Sequence, residues 1–142
     1  MAAKFLPADK LNAWLAELAA SRRVLVPVKE RDAVVFRPFG QDAALVLSRK
    51  ADTPPKASVF PASERLLGFT YVKDPEDLAK VSLEIAPTVD APPTVVFGAR
   101  PCDARGFLIF DRVYVTPKVT DVYYQARREN TLFVTLACDE PD

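Results

Sequence analysis

The chain has 142 residues, 49% of them hydrophobic, which is enough for one core and short for two. Nineteen basic residues balance nineteen acidic ones, so no net field draws the protein to nucleic acid or to an anionic membrane, and neither is expected as a partner. With no histidine, Ser-His-Asp and Cys-His nucleophile pairs, His-ligated metal centres and imidazole acid-base work are all excluded.

The amino-terminal stretch meets charges at Lys4, Asp9 and Lys10 before any signal-like apolar segment develops, and no run approaches the length that spans a bilayer. A cytoplasmic, non-inserted protein is expected. In a reducing compartment its two cysteines read as thiols, metal ligands or a redox pair before they read as a structural disulfide. Thirteen prolines against four glycines, paired at Pro54-Pro55 and Pro92-Pro93, indicate stiff extended connectors.

In chain order, Leu11, Trp14, Leu15, Leu18 and Ala19 recur at helical spacing behind Pro7 and Asp9, predicting an amphipathic helix over residues 8–20 with Trp14 in the core. Two β-rich runs, 23–28 and 33–39, flank the charged segment 29–32 and predict a hairpin. Pro27 and Pro38 push both of its strands toward a sheet edge. Leu45-Val46-Leu47 could add a third strand. The proline-rich segment 49–61 should be extended, and residues 63–67 should form one or two helical turns stopped by Gly68. Val81, Leu83 and Ile85 alternate with polar residues and predict a strand that Pro87 ends, after the helix-like 75–78.

Residues 91–142 read as a β-α-β unit. Thr94-Val95-Val96-Phe97-Gly98-Ala99 is apolar at successive positions, as strands buried on both faces are. Phe107, Leu108, Phe110 and Tyr114 supply the apolar stripe of a helix starting near Cys102, with Asp111 and Arg112 facing away. A second short helix covers 123–128 with Thr120 or Asp121 as its cap, and its Arg127-Arg128 pair reads as a solvated helix face or a helix-end pair before an anion clamp. A second buried strand covers 131–137, and helices between two strands require those strands to be parallel. The expected architecture is a single mixed α/β domain: an N-terminal helix and small sheet over 1–90, then the β-α-β unit over 91–142.

Parallel strands would place Cys102 and Cys138 immediately past two carboxyl ends, on the sheet edge where open α/β folds hold ligands. Cys102 also opens a helix beside Arg100 and Arg105, an electropositive setting suited to a thiolate ligand. On spacing alone the pair stands between metal ligation, inert packing and a reversible disulfide. The acidic end, residues 139–142, reads only as solvated. Without histidine, a glycine-rich phosphate loop or a closed metal constellation, no self-sufficient catalytic site is expected.

The segment 97–103, Phe-Gly-Ala-Arg-Pro-Cys-Asp, followed by 110–114, Phe-Asp-Arg-Val-Tyr, then Tyr123-Tyr124 with Arg127-Arg128-Glu129-Asn130 and Cys138 after an apolar strand, resembles the N-terminal region of a family of iron-sulfur electron-transfer subunits. That family includes the beta subunit of cytoplasmic sulfhydrogenases and the A subunit of anaerobic sulfite reductase. Pro27-Val28-Lys29, Pro54-Pro55-Lys56, Phe60-Pro61 and Glu64-Arg65-Leu66 resemble it as well, so the likeness runs along most of the chain. The resemblance implies a non-catalytic component passing electrons through [4Fe-4S] clusters within a multi-subunit oxidoreductase. It implies Cys102 and Cys138 as cluster ligands, Arg100 as a residue beside the cofactor, and other subunits as partners. Family members continue past the equivalent of Cys138 into a Cys-x-Cys pair and a ferredoxin-like segment, whereas a [4Fe-4S] cluster takes four cysteines and two are present here. The ligand set in this chain is therefore incomplete. Two alternatives stand beside this reading: an assembly domain that docks a redox partner, and a thiol-disulfide switch.

Overall fold

The computed structural model describes residues 5–40, 42–77 and 79–138. Its centre is the strand β5 (Thr94–Ala99), whose six residues are all buried, as its unbroken apolar composition requires. Around it a four-stranded sheet has the order β2-β1-β5-β6, formed with β1 (Arg23–Glu30), β2 (Ala33–Pro38) and β6 (Thr131–Thr135). Strands β1, β5 and β6 run parallel, and β2 returns antiparallel from β1 through a tight turn in which Arg31 takes φ 56°. The mixed α/β architecture, with an N-terminal helix, a hairpin and a parallel β-α-β unit, is the one the patterning predicts. The hairpin and the β-α-β unit share this one sheet, because Arg23, Val24 and Leu25 pair with Thr94, Val95 and Val96.

The helix α1 (Leu11–Ala19), entered through a single 3-10 turn at Ala8–Lys10, covers one face of the sheet. Leu15 is fully buried with Val24, Val26, Val95 and Phe97, and Trp14 meets Phe97 edge-on with ring centroids 5.9 Å apart. The other face carries α2 (Pro101–Tyr114) and α3 (Val122–Glu129). Phe107, Tyr124 and Val59 are buried there, packed by Phe60, Phe110, Tyr114 and Phe133. Leu108 lies outside this cluster and is half exposed, so the apolar stripe of α2 is Phe107, Phe110 and Tyr114. Asp111, expected on the solvent side, turns inward to accept hydrogen bonds from Tyr124 Oη at 2.6 Å and Arg128 Nε at 3.0 Å. Burial, reinforced by the Asp111 carboxylate, pushes the Tyr124 phenol well above its ordinary value of 10.0. The cap of α3 is Asp121, which accepts from the backbone N–H groups of Tyr123 and Tyr124 at 2.9 Å each.

Several local expectations are overturned, each by a longer-range contact. Strand β1 is interior rather than an edge. Its ladder with β5 ends at Leu25, so the missing N–H of Pro27 falls beyond the pairing. Residues 45–47 form no strand; Leu45 makes one isolated bridge to Val28, and Val46 donates to the Pro27 carbonyl at 2.9 Å. The extended segment 49–61 includes a 3-10 turn at Lys56–Ser58. Residues 63–67 are not helical. Leu67 instead opens β3 (Leu67–Lys73), with Gly68 inside the strand, and β3 pairs antiparallel with β4 (Val81–Pro87) over seven residue pairs as a separate two-stranded ribbon. An isolated helical turn has little to stabilise it, whereas the hairpin satisfies the backbone groups of both segments. The helix-like segment before β4 includes Leu78, which lies outside the described residues.

The Arg127-Arg128 pair lies in the last turn of α3, as a helix-end pair does, but is not a solvated face. Arg127 is 6% exposed and donates to the carbonyls of Asp90 at 3.0 Å and Val59 at 3.4 Å while pairing with the Glu64 carboxylate. One turn earlier on the same side of α3, the Tyr123 hydroxyl donates to the Leu66 carbonyl. These bonds reach both chain segments that enter and leave the β3-β4 ribbon, so α3 fastens the ribbon base to the main body.

Candidate functional site

The carboxyl edge of β5 is shaped by a glycine. Gly98 has φ +83°, a conformation side-chain-bearing residues rarely adopt, and the β5-β6 register shifts between Phe97 and Ala99 at this point. The bulge sets Ala99 on the same face as Val96, where both join Leu25 and Phe36. It also lets backbone and ring meet closely, since a Cβ on Gly98 would lie 3.0 Å from both Cδ and Cγ of Pro27 and 3.2 Å from Leu47. Pro27 and Gly98 therefore fit one another, a pairing without a local sequence signal beyond a glycine inside an apolar run.

Immediately after the bulge, Arg100 is the N-cap of α2 with extended backbone (φ −86°, ψ 158°), and Pro101 takes the first helical position, where a missing N–H costs nothing. Asp103 reaches back to accept the Arg100 backbone N–H at 3.0 Å. This arrangement places Cys102 in the first turn of α2 as an exposed, free thiol.

The second cysteine arrives from β6. The ladder ends at Thr135, so Cys138 stands three residues past β6, as Cys102 stands three past the end of β5 at Ala99, and neither follows its strand immediately. The chain nonetheless stays tied to β5, because Leu136 donates its N–H to the Ala99 carbonyl at 2.9 Å. The Arg100 guanidinium then donates to the carbonyl of Ala137, the neighbour of Cys138, at 3.3 Å and to that of Leu47 at 3.1 Å. Cys138 is exposed and free, like Cys102. Arg100, Cys102 and Cys138 thus share the carboxyl edge of the parallel strands. Arg100 acts there as a strap that joins the start of α2, the segment after β6 and the 45–47 loop. Sequence reading picked out Arg100 but could not find its partners, since main-chain carbonyls are the same at every position.

The donor set that this chain offers a cluster is two cysteine side chains. Among the described residues no group of three or more His, Cys, Asp and Glu side chains converges as a metal cage. The residues present match half of a four-cysteine ligand set, and the acidic end, residues 139–142, lies outside the described residues.

A cavity of about 530 Å³ lies at the opposite, amino edge of the parallel strands, lined in part by Arg23, Ser58, Glu64, Arg65, Asp90 and Arg127. Its buried cation is already committed, with Arg127 engaged by Glu64, Asp90 and Val59. Among the described residues no helix is long and apolar enough to cross a membrane. Comparison with protein-family models, with curated proteins and with solved structures finds no match to this chain.

Proposed function

We propose that this chain is the scaffold domain of an iron-sulfur electron-transfer subunit in a cytoplasmic, multi-subunit oxidoreductase, with Cys102 and Cys138 supplying half of the ligands of one [4Fe-4S] cluster. The observation that carries the reading is the pair of exposed thiols at one sheet edge, with Arg100 hydrogen-bonded to the residue next to Cys138 and two positions from Cys102. A cluster bound there supplies one-electron transfer. The chain's own residues perform the rest: the buried β5 strand gives a rigid platform, the Gly98 bulge and Pro101 set where α2 begins, and Arg100 holds the segment that carries Cys138. The remaining ligands come from outside residues 1–142.

The test is anaerobic isolation of the protein with its native partners, followed by iron and sulfide analysis and EPR spectroscopy of the reduced sample. Iron and a cluster signal that diminish in Cys102→Ser and Cys138→Ser are the expected result. Iron content and EPR spectra unchanged in the double serine variant would overturn the assignment.

The competing reading, a non-catalytic assembly domain that docks a redox partner, predicts instead that the double serine variant retains both complex formation and electron transfer.

A further inference from the structure

The β3-β4 ribbon has two chemically distinct faces. Strict alternation and the observed register put Leu67, Phe69 and Tyr71 beside Pro87, Ile85 and Leu83 on one side, with Lys73 and Val81 completing it at the tip. The other side carries Gly68, Thr70, Val72, Ser82, Glu84 and Ala86. In an ordinary half-buried hairpin the apolar side lies against a core. Here it does not: Leu67 is 56% exposed, Phe69 67%, Tyr71 70%, Leu83 50% and Ile85 62%. A two-stranded ribbon on its own is marginal in water, and a contiguous apolar patch of this size marks a contact surface.

We propose that this face is the contact through which two copies of the chain associate, ribbon on ribbon, as a small four-stranded sandwich. Three observations select a second copy as the occupant. The first is area: with Leu67, Phe69, Tyr71, Val81, Leu83 and Ile85 each half or more exposed, the apolar side chains of this face leave on the order of 700 Å² per copy in solvent, an upper limit on what a face-to-face contact removes and of the size of the approximately 800 Å² per partner of a standard interface. The second is charge. The face carries a single ionic side chain, Lys73, at its tip, and the whole chain has a formal net charge of +0, so two copies meet without net repulsion. The third is shape. A two-residue-wide, regular face with aromatic residues on one strand and aliphatic residues on the other is self-complementary under a two-fold rotation, as isologous contacts require. Two such faces pack at about 10 Å, the spacing of stacked sheets. The fastening of the ribbon base by Arg127 and Tyr123 adds preorganisation, because the face is presented without first having to be ordered.

Sedimentation velocity and light scattering of the full chain across a dilution series test the proposal. The expected result is a concentration-dependent dimer, weakened at least 100-fold in Tyr71→Glu and Ile85→Glu and unchanged in Thr70→Lys and Ser82→Lys on the polar face. Far-ultraviolet circular dichroism establishes that each variant is folded. As an independent readout, Tyr71→Cys in a Cys102→Ser/Cys138→Ser background should be linked into a dimer by a thiol-to-thiol cross-linker that spans about 10 Å, the spacing of stacked sheets, while Thr70→Cys should not. A chain that stays monomeric at several hundred micromolar, or a dimer indifferent to Tyr71→Glu and Ile85→Glu, would overturn the proposal. Capture of a different protein by the same face without a homodimer would equally overturn it.

Discussion

The four-stranded sheet and the two-stranded ribbon are made of similar residues and end in opposite states. β5 buries every residue, whereas thirteen of the fourteen strand positions of β3 and β4 are exposed and only Gly68 is half-buried. The difference is one of layers. β5 has α1 on one face and α2 with α3 on the other, so each apolar side chain is removed from water twice over, by its strand neighbours and by a helix. The ribbon has one partner strand and no second layer. Hydrophobicity decides that a strand forms; whether it stabilises the monomer or waits for a partner is decided by what packs across it.

Equivalent truncations in the two regions should separate them. Phe107→Ala opens a cavity among Tyr124, Phe110 and Phe133 and is expected to cost about 3–5 kcal/mol in denaturant unfolding, the largest effect of the series. Arg127→Ala breaks the join between the regions. With its side chain 7% exposed and that of Glu64 31%, removal of one charge strands the other, a loss of about 3 kcal/mol. Hydrogen exchange should show faster opening of β3 and β4 in that variant, and a paired Arg127→Met/Glu64→Leu change should recover most of the stability.

Tyr124→Phe is expected to cost about 1 kcal/mol at neutral pH through the lost bond to Asp111, and to change the alkaline profile. The folded phenol holds its proton above the ordinary value of 10.0, so its contribution is fully present below pH 10 and is lost as pH rises from there toward the folded value. Wild-type stability should therefore fall by about 1.4 kcal/mol per pH unit from this group above pH 10, a slope the phenylalanine variant lacks. Equilibrium unfolding at pH 9 to 11 checks it. Smallest of all, Phe69→Ala in the ribbon should change monomer stability by no more than about 0.5 kcal/mol, because its ring is 67% exposed. A larger loss that appears only at high protein concentration would sharpen the comparison further, since it would report the ribbon-to-ribbon contact.

Much of this architecture is legible in the linear pattern. The 3.6-residue spacing around Trp14 marks α1, successive apolar residues mark β5 as doubly covered, and the intervening helices force β5 and β6 parallel; β6, expected over 131–137 and buried as well, is instead a short edge strand (Thr131–Thr135) with Leu132 58% exposed, because no further strand pairs beyond it. The two cysteines follow β5 and β6, each three residues beyond the strand end rather than immediately after it. Other features depend on partners far along the chain and leave no local trace: Arg127 meeting Glu64, Asp111 turned inward by Tyr124 and Arg128, and Arg100 reaching the carbonyls of Leu47 and Ala137. β3 was obscured by Gly68, which looks like a helix stop until the strand opposite it is known.

By itself, then, the sequence determined the mixed α/β class and the identity and order of the most strongly periodic elements, because periodicity and composition are local quantities. The tertiary structure alone decided that β1 lies inside the sheet, that Gly98 must bulge against Pro27, that α3 anchors a ribbon, and that the ribbon's apolar face is left in solvent. Each of those outcomes depends on which surfaces meet, and that is settled by packing between segments rather than within them.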